Sequence, residues 1–245
     1  MDDFLSKAPV ISHTPNIFNK NRMALIKDSF QYLVTMYNNN INHEGPSNHM
    51  NSYTMVGNPY QAPGSVHWGM FVKYIELMGT KEHQERYLER AKKFEIVGCY
   101  AQTELGHGSD IRGLETTATY DHTTKEWIIN SPTTTSAKYW PGEIGFMANH
   151  AMVFAQTIIK GKNYGVNPFL VKIKDRHYNW VAGVEGGDIG PKIGFHTKDN
   201  GYLYFRNIRI PKGHLFTKYS EVTEDGEFKK IGDPRVGYGT MMYIR

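Results

Sequence analysis

Apolar residues recur at helical intervals in the first part of the chain and crowd into short, β-rich runs in the rest. From about Asn21 to Tyr37, the positions Ile26, Phe30, Leu33, Val34 and Tyr37 fall three or four apart, which predicts an amphipathic helix. The residues before it, broken by Pro9 and Pro15, read as an extended arm. Asn38 to Gly64 is rich in Asn, Gly, Pro and Ser and reads as a long loop, a feature that is usually functional or mobile. A second helix fits His67 to Met78 and stops at Gly79. Thr80 is placed to cap a third, with Glu82 in its first turn and Arg90, Lys92 and Lys93 in its last, as the helix dipole favours.

After Phe94 the pattern changes. Thr116 to Tyr120 and Trp127 to Ile129 flank a polar turn and predict a hairpin. Met152 to Ile159, Phe169 to Ile173, Asn179 to Val184 and Tyr202 to Ile210 are further β-rich runs separated by Gly, Asn or Pro. Helices followed by strands predict an α+β fold with segregated parts, the sheet mainly antiparallel. The expected division is an arm and helical domain over 1–95, a central β-domain over 96–212, and a linker over 213–245 that opens a further helical pattern. That last pattern, Gly239 to Arg245, spans too few turns to be stable alone.

A chain of 245 residues is long enough for a substantial core. The formal net charge of +4 is spread along the chain, so a nucleic-acid partner is not indicated, while an anionic small ligand would be welcome. A single cysteine leaves no internal disulfide framework. No apolar run approaches the ~20 residues of a spanning helix. The eleven histidines show no metal-ligand spacing, and no metal site is expected.

The chemistry concentrates in two segments. Tyr100-Ala-Gln-Thr-Glu-Leu-Gly-His-Gly-Ser-Asp110 leaves an apolar run and enters a turn whose glycines free backbone amides beside the hydroxyls of Thr103 and Ser109. Such a turn suits phosphates and the polar edge of a nucleotide cofactor. Lys138-Tyr-Trp-Pro-Gly142 then sets an indole next to Pro and Gly. Together these segments resemble the flavin-contacting signatures of the acyl-CoA dehydrogenase and oxidase superfamily. Gly113-Leu-Glu-Thr-Thr-Ala-Thr-Tyr-Asp121, Gly187-Asp-Ile-Gly-Pro191 and Asp199-Asn-Gly-Tyr202 narrow the resemblance to acyl-CoA oxidase, over roughly His67 to Arg245.

The resemblance implies an FAD cofactor, a fatty acyl-CoA substrate and oxygen as electron acceptor. It places Gln102 and Thr103 at the flavin ring edge, Gly108 and Ser109 where relatives meet the flavin and the CoA portion, and Trp140 against the ring. Gly142 stands where oxidases carry glycine rather than a hydroxyl residue, leaving room beside the ring. The family's general base is a glutamate on a C-terminal helical domain. No catalytic residue is therefore assigned within the chain, which on this reading is inactive alone and relies on a homodimer partner or a second chain. Peroxisomes are the implied compartment, although no targeting signal is visible. The rival expectation is a non-catalytic binding or scaffold subunit derived from the same family. Glu143 is expected to face solvent, and His107 to be a surface or hydrogen-bonding residue. Glu104, Asp110 and Glu115 are expected to anchor loop backbone and arginines such as Arg112.

Overall fold

The computed structural model describes residues 19–38 and 63–232, so the expectations for the N-terminal arm, most of the long loop and the tail fall outside the described residues. The chain divides into two compact units, Met1–Ser65 with Gly190–Asp199, and Val66–Ile189 with Asn200–Arg245.

In the first unit, α1 spans Arg22–Asn38. Asn21 caps it, its Oδ1 accepting the Ala24 N–H at 2.9 Å. The buried stripe runs through Leu25, Ile26, Ser29, Tyr32 and Leu33, whereas Val34 and Tyr37 are exposed. The apolar face is thus turned slightly from the one the spacing predicts. Within this unit Arg22 Nε donates to the His196 carbonyl at 3.0 Å, and Lys198 Nζ donates to Ser65 Oγ at 2.9 Å.

The second unit opens with a π-helical stretch, His67–Val72, that runs directly into α2 (Lys73–Met78), followed by α3 (Lys81–Lys92). Thr80 caps α3 as the sequence predicts. Its hydroxyl accepts the His83 N–H while its own N–H donates to His83 Nδ1, both at 3.2 Å, so histidine takes the part that glutamate usually plays in a capping box. The buried His67 ring joins three elements, accepting the Gly98 N–H at Nδ1 (3.0 Å) and donating from Nε2 to the Ala91 carbonyl (3.1 Å).

Among the described residues the strands that follow are β1 (Gly98–Ala101), β2 (Thr117–Asp121), β3 (Glu126–Asn130), β4 (Lys138–Gly142), β5 (His150–Ile159), β6 (Lys162–Lys172), β7 (Val184–Asp188), β8 (Asn200–Phe205), β9 (Ile208–Pro211), β10 (Ser220–Val222) and β11 (Phe228–Lys230). The largest sheet has the order β1-β5-β2-β3-β9, with β6 on the other edge of β5. A second sheet has the order β4-β8-β7, and β10 pairs with β11. Pairing is antiparallel except where β5 takes β1 and β2 in parallel, one after the other along the same strand. The fold is α+β with a mixed, mainly antiparallel sheet region.

The predicted hairpin is present, with Tyr120 opposite Trp127. Asn179 to Val184 is not a strand, because Tyr178 and Gly183 take left-handed φ values of 64° and 83° and turn the chain, so the strand begins at Val184. The run Tyr202 to Ile210 is split into β8 and β9 by Asn207 at φ 50°.

Two cores form. One fills the β region around Trp127, Ile129, Phe169 and Phe205. The other joins the helices to the sheet through Phe71, Tyr74, Ile75, Tyr87, Phe154 and Phe216. At their junction Gly98 is indispensable, since a Cβ there would lie 2.2 Å from the Phe71 ring. We expect Gly98→Ala to cost about 1–3 kcal/mol through overpacking, read as a lowered denaturation midpoint. An unchanged midpoint would show that the helix is free to move away.

Three histidines in this unit resist protonation because burial disfavours the charged ring. His150 is pushed from 6.5 down to about 4, with Lys172, Arg90 and His214 adding repulsion, and His83 and His214 shift the same way. A lowered folded pKa means the unfolded chain binds the proton first. The contribution is therefore complete above pH 6.5 and is lost as pH falls toward 4. His150 alone accounts for about 3 kcal/mol at most. Chemical denaturation across that window should show stability falling with acid, and His150→Gln should flatten the slope.

Candidate flavin and acyl-CoA site

β1 ends in the turn from Gln102 to Asp110, and β4 returns beside it. An antiparallel bridge pairs Glu104 with Lys138, and Tyr139 donates its N–H to the Thr103 carbonyl at 3.0 Å. The two segments singled out in the sequence thus lie side by side.

A buried ion pair fixes this arrangement. Lys138 and Glu104 are both fully excluded from solvent, and Lys138 Nζ meets Glu104 Oε1 at 2.9 Å. The ammonium's other protons go to the carbonyls of Phe154 at 2.7 Å and Gln102 at 3.2 Å. Glu104 also accepts the N–H groups of Glu115 and Thr116 and the Thr116 hydroxyl, at 2.7, 2.9 and 2.5 Å. Burial pulls the lysine down from 10.5 to about 8 while Glu104 opposes the shift, so the ammonium remains the dominant form near neutrality.

The expected cofactor residues occupy distinct positions on this frame. Gln102 is buried, its Oε1 accepting the Tyr100 hydroxyl at 3.1 Å. Thr103 is half-buried at the start of the turn. Gly108 and Ser109 lie exposed on the turn. Gly142 is buried, paired with Asn200 of β8 after a bulge that follows Tyr139.

Trp140 sits in that bulge with φ 80°, an outlier for a bulky residue, and its side chain is 46% exposed. Its carbonyl is held by Asn200 Nδ2 at 2.6 Å, while Asn200 Oδ1 is buried with no partner among the described residues. Asn200 was given no role in the sequence analysis, although it sits in the quoted string Asp199-Asn-Gly-Tyr202. Its neighbour Gly201 is required, since a Cβ there would meet the Gly187 carbonyl at 2.5 Å.

The expectation for Glu143 is corrected. It is fully buried rather than solvent-facing, with φ 69°, and its Oε1 accepts the Val66 N–H at 3.0 Å. The left-handed backbone after Pro141-Gly142 turns the carboxylate inward. His107 is half-buried, Nε2 lying 3.6 Å from Glu115 Oε2. Asp110 caps the turn at Gly113, and Glu115 accepts the hydroxyls of Thr133 and Thr135. The cation that meets Glu104 is Lys138, not Arg112. Glu104, His107 and Glu115 approach closely enough to hold an ion. Both oxygens of Glu104, however, already accept bonds from backbone, Thr116 and Lys138.

Removing one member of a buried pair leaves the other charge uncompensated. Lys138→Met should cost about 3–5 kcal/mol, whereas Lys138→Met with Glu104→Gln should cost less than the single change. Equilibrium denaturation of both variants gives the comparison; a double variant no more stable than the single one would show that the charge is not what matters.

Comparison with known proteins identifies the family. Residues 1–97 match the acyl-coenzyme A oxidase N-terminal family, and residues 99–208 match the acyl-CoA dehydrogenase middle domain. The peroxisomal acyl-coenzyme A oxidase 1 of Arabidopsis thaliana is 45% identical over 185 residues, covering 74% of this chain and 28% of that protein. The structure of Arabidopsis thaliana acyl-CoA oxidase 1 superposes with a TM-score of 0.88 at 36% identity, over 99% of this chain and 38% of that one. A Caenorhabditis elegans acyl-CoA oxidase-2 structure bound with FAD, ascaroside-CoA and ATP gives a TM-score of 0.91 at 36% identity, over 99% of this chain and 37% of that one. The chain therefore spans well under half the length of these relatives. With both of its matched regions aligned to these enzymes, the chain belongs to the acyl-CoA oxidase family and carries that family's N-terminal and middle domains.

Proposed function

We propose that this chain forms the flavin- and acyl-CoA-binding part of an FAD-dependent acyl-CoA oxidase, which desaturates a fatty acyl-CoA between its α and β carbons and passes the electrons to oxygen, giving peroxide. The observation that carries the reading is Trp140. An indole held in left-handed backbone and left 46% exposed contributes little to the chain's own stability. Backbone strain of this kind clusters at ligand sites. Beside it runs the Thr103 turn, whose carbonyl accepts the Tyr139 N–H at 3.0 Å.

On this reading Trp140 lies against the isoalloxazine, Thr103 and Gln102 meet its polar edge, and Gly142 leaves space beside it. Gly108 and Ser109, exposed on the turn, offer an N–H and a hydroxyl to the cofactor and to the CoA portion of the substrate. The bound flavin supplies the hydride acceptor and the route for electrons to oxygen. The residues of this chain bind, orient and exclude water, while proton abstraction is assigned to a base outside these two domains. The names of the relatives support a peroxisomal setting.

Trp127 provides the control. It is fully buried, donates from Nε1 to the Lys212 carbonyl at 3.1 Å, and packs edge-on against Tyr120 and Phe169. Trp140→Ala should weaken FAD by on the order of 1 kcal/mol or more through the lost stacking face. Trp127→Ala should lower stability while sparing affinity in the folded fraction. Flavin titration of both variants decides, and equal losses of affinity would remove Trp140 from the site.

A further inference from the structure

Asn200 opens β8 and is 4% exposed, and its backbone is fixed on both sides. Its carbonyl accepts the Ile189 N–H at 3.1 Å, and across the ladder it stands opposite Gly142 of β4. From that base Nδ2 donates to the Trp140 carbonyl at 2.6 Å. Oδ1 is buried with no hydrogen-bond partner among the described residues. An unmet buried acceptor is a cost that an apolar side chain would avoid. Filling the position therefore does not explain an amide here, whereas holding Trp140 does.

The bond falls where the ladder between β4 and β8 is broken. Tyr139 pairs with Tyr202 and Gly142 with Asn200, so Trp140 and Pro141 stand together against Gly201 alone. Pro141 has no N–H to give. Gly201 is closely hemmed, since a Cβ there would lie 2.5 Å from the Gly187 carbonyl and 2.7 Å from the Gly145 nitrogen. The Asn200 amide supplies a donor to the Trp140 carbonyl inside this interruption. Trp140 has φ 80°, and a bulky residue relaxes from that region once nothing holds it there. Any such relaxation swings the Cα–Cβ bond and the indole with it. An indole that is 46% exposed has little packing of its own to resist.

Resting on the flavin reading of this site, we infer that Asn200 is a positioning residue for the cofactor. Its amide locks the Trp140 peptide in the bulge and thereby sets the direction of the indole that meets the flavin. Asn200 itself touches neither flavin nor substrate. Its effect on binding passes through Trp140, which separates it from a general role in the fold.

The test is a double-mutant cycle on the 245-residue chain, read as FAD affinity. Asn200→Ala should weaken FAD about fivefold, close to the loss expected on removing the indole face. In a Trp140→Ala background the same change should weaken it less than about twofold, because no indole is left to aim. Asn200→Asp, which keeps the planar shape and lacks the donor, should repeat both results. In the cofactor-free chain, the indole N–H resonance of Trp140 should shift in both Asn200 variants while that of the fully buried Trp127 stays in place. An equal loss of affinity in the two backgrounds, no loss in the first, or an unmoved Trp140 resonance would overturn the inference. So would unfolding of both variants, since the amide would then hold the fold rather than the indole. If the unchanged chain takes up no FAD, or Trp140→Ala binds it as tightly as before, the flavin reading itself falls and the inference with it.

Discussion

The Lys138–Glu104 pair sits beyond the reach of water, and the placement of both candidate binding segments follows from satisfying it. An ammonium in such surroundings costs several kcal/mol unless its protons are all bonded. Here they go to the turn after β1, to the carboxylate on that turn, and to β5. The carboxylate in turn gathers the backbone at Glu115 and Thr116. A slip of β4 by one residue would leave a buried charge unpaired, so the register is set by electrostatics rather than by apolar contact. Thr103 and Trp140, one and two residues from the paired side chains, are brought together as a consequence.

Around that fixed point the backbone carries strain. Trp140 and Glu143 both take left-handed conformations on either side of Pro141-Gly142. Such residues cost on the order of 1–3 kcal/mol each and persist only where the surroundings over-determine them. Asn200 grips the Trp140 carbonyl, Gly201 permits close approach of β7, and Val66 ties down Glu143. The strain presents an aromatic face that a regular strand would have packed away.

Features governed by local chemistry were legible in the sequence. The 3.6-residue period gave α1, the Thr80 cap gave the start of α3, and a polar turn between β-rich runs gave the hairpin. The resemblance of two short motifs gave the family. What remained hidden depends on distant partners. Lys138 and Glu104 lie 34 residues apart, and nothing in either local pattern distinguishes a buried pair from two surface charges. Glu143 looked solvent-facing because a charged residue after Pro-Gly usually is, and only the left-handed backbone turns it inward. The four-residue β1 is too short to show a period, and left-handed residues at Tyr178 and Gly183 overrode the β propensity of Asn179 to Val184.

The central claim is that the Thr103 turn and the Trp140 bulge form one cofactor surface. A crystal structure of the chain grown with FAD tests it most directly. The account predicts the isoalloxazine against the Trp140 indole, with its polar edge within hydrogen-bond distance of the Thr103 hydroxyl. Flavin bound elsewhere on the chain, with Trp140 and Thr103 both left in solvent, would contradict it.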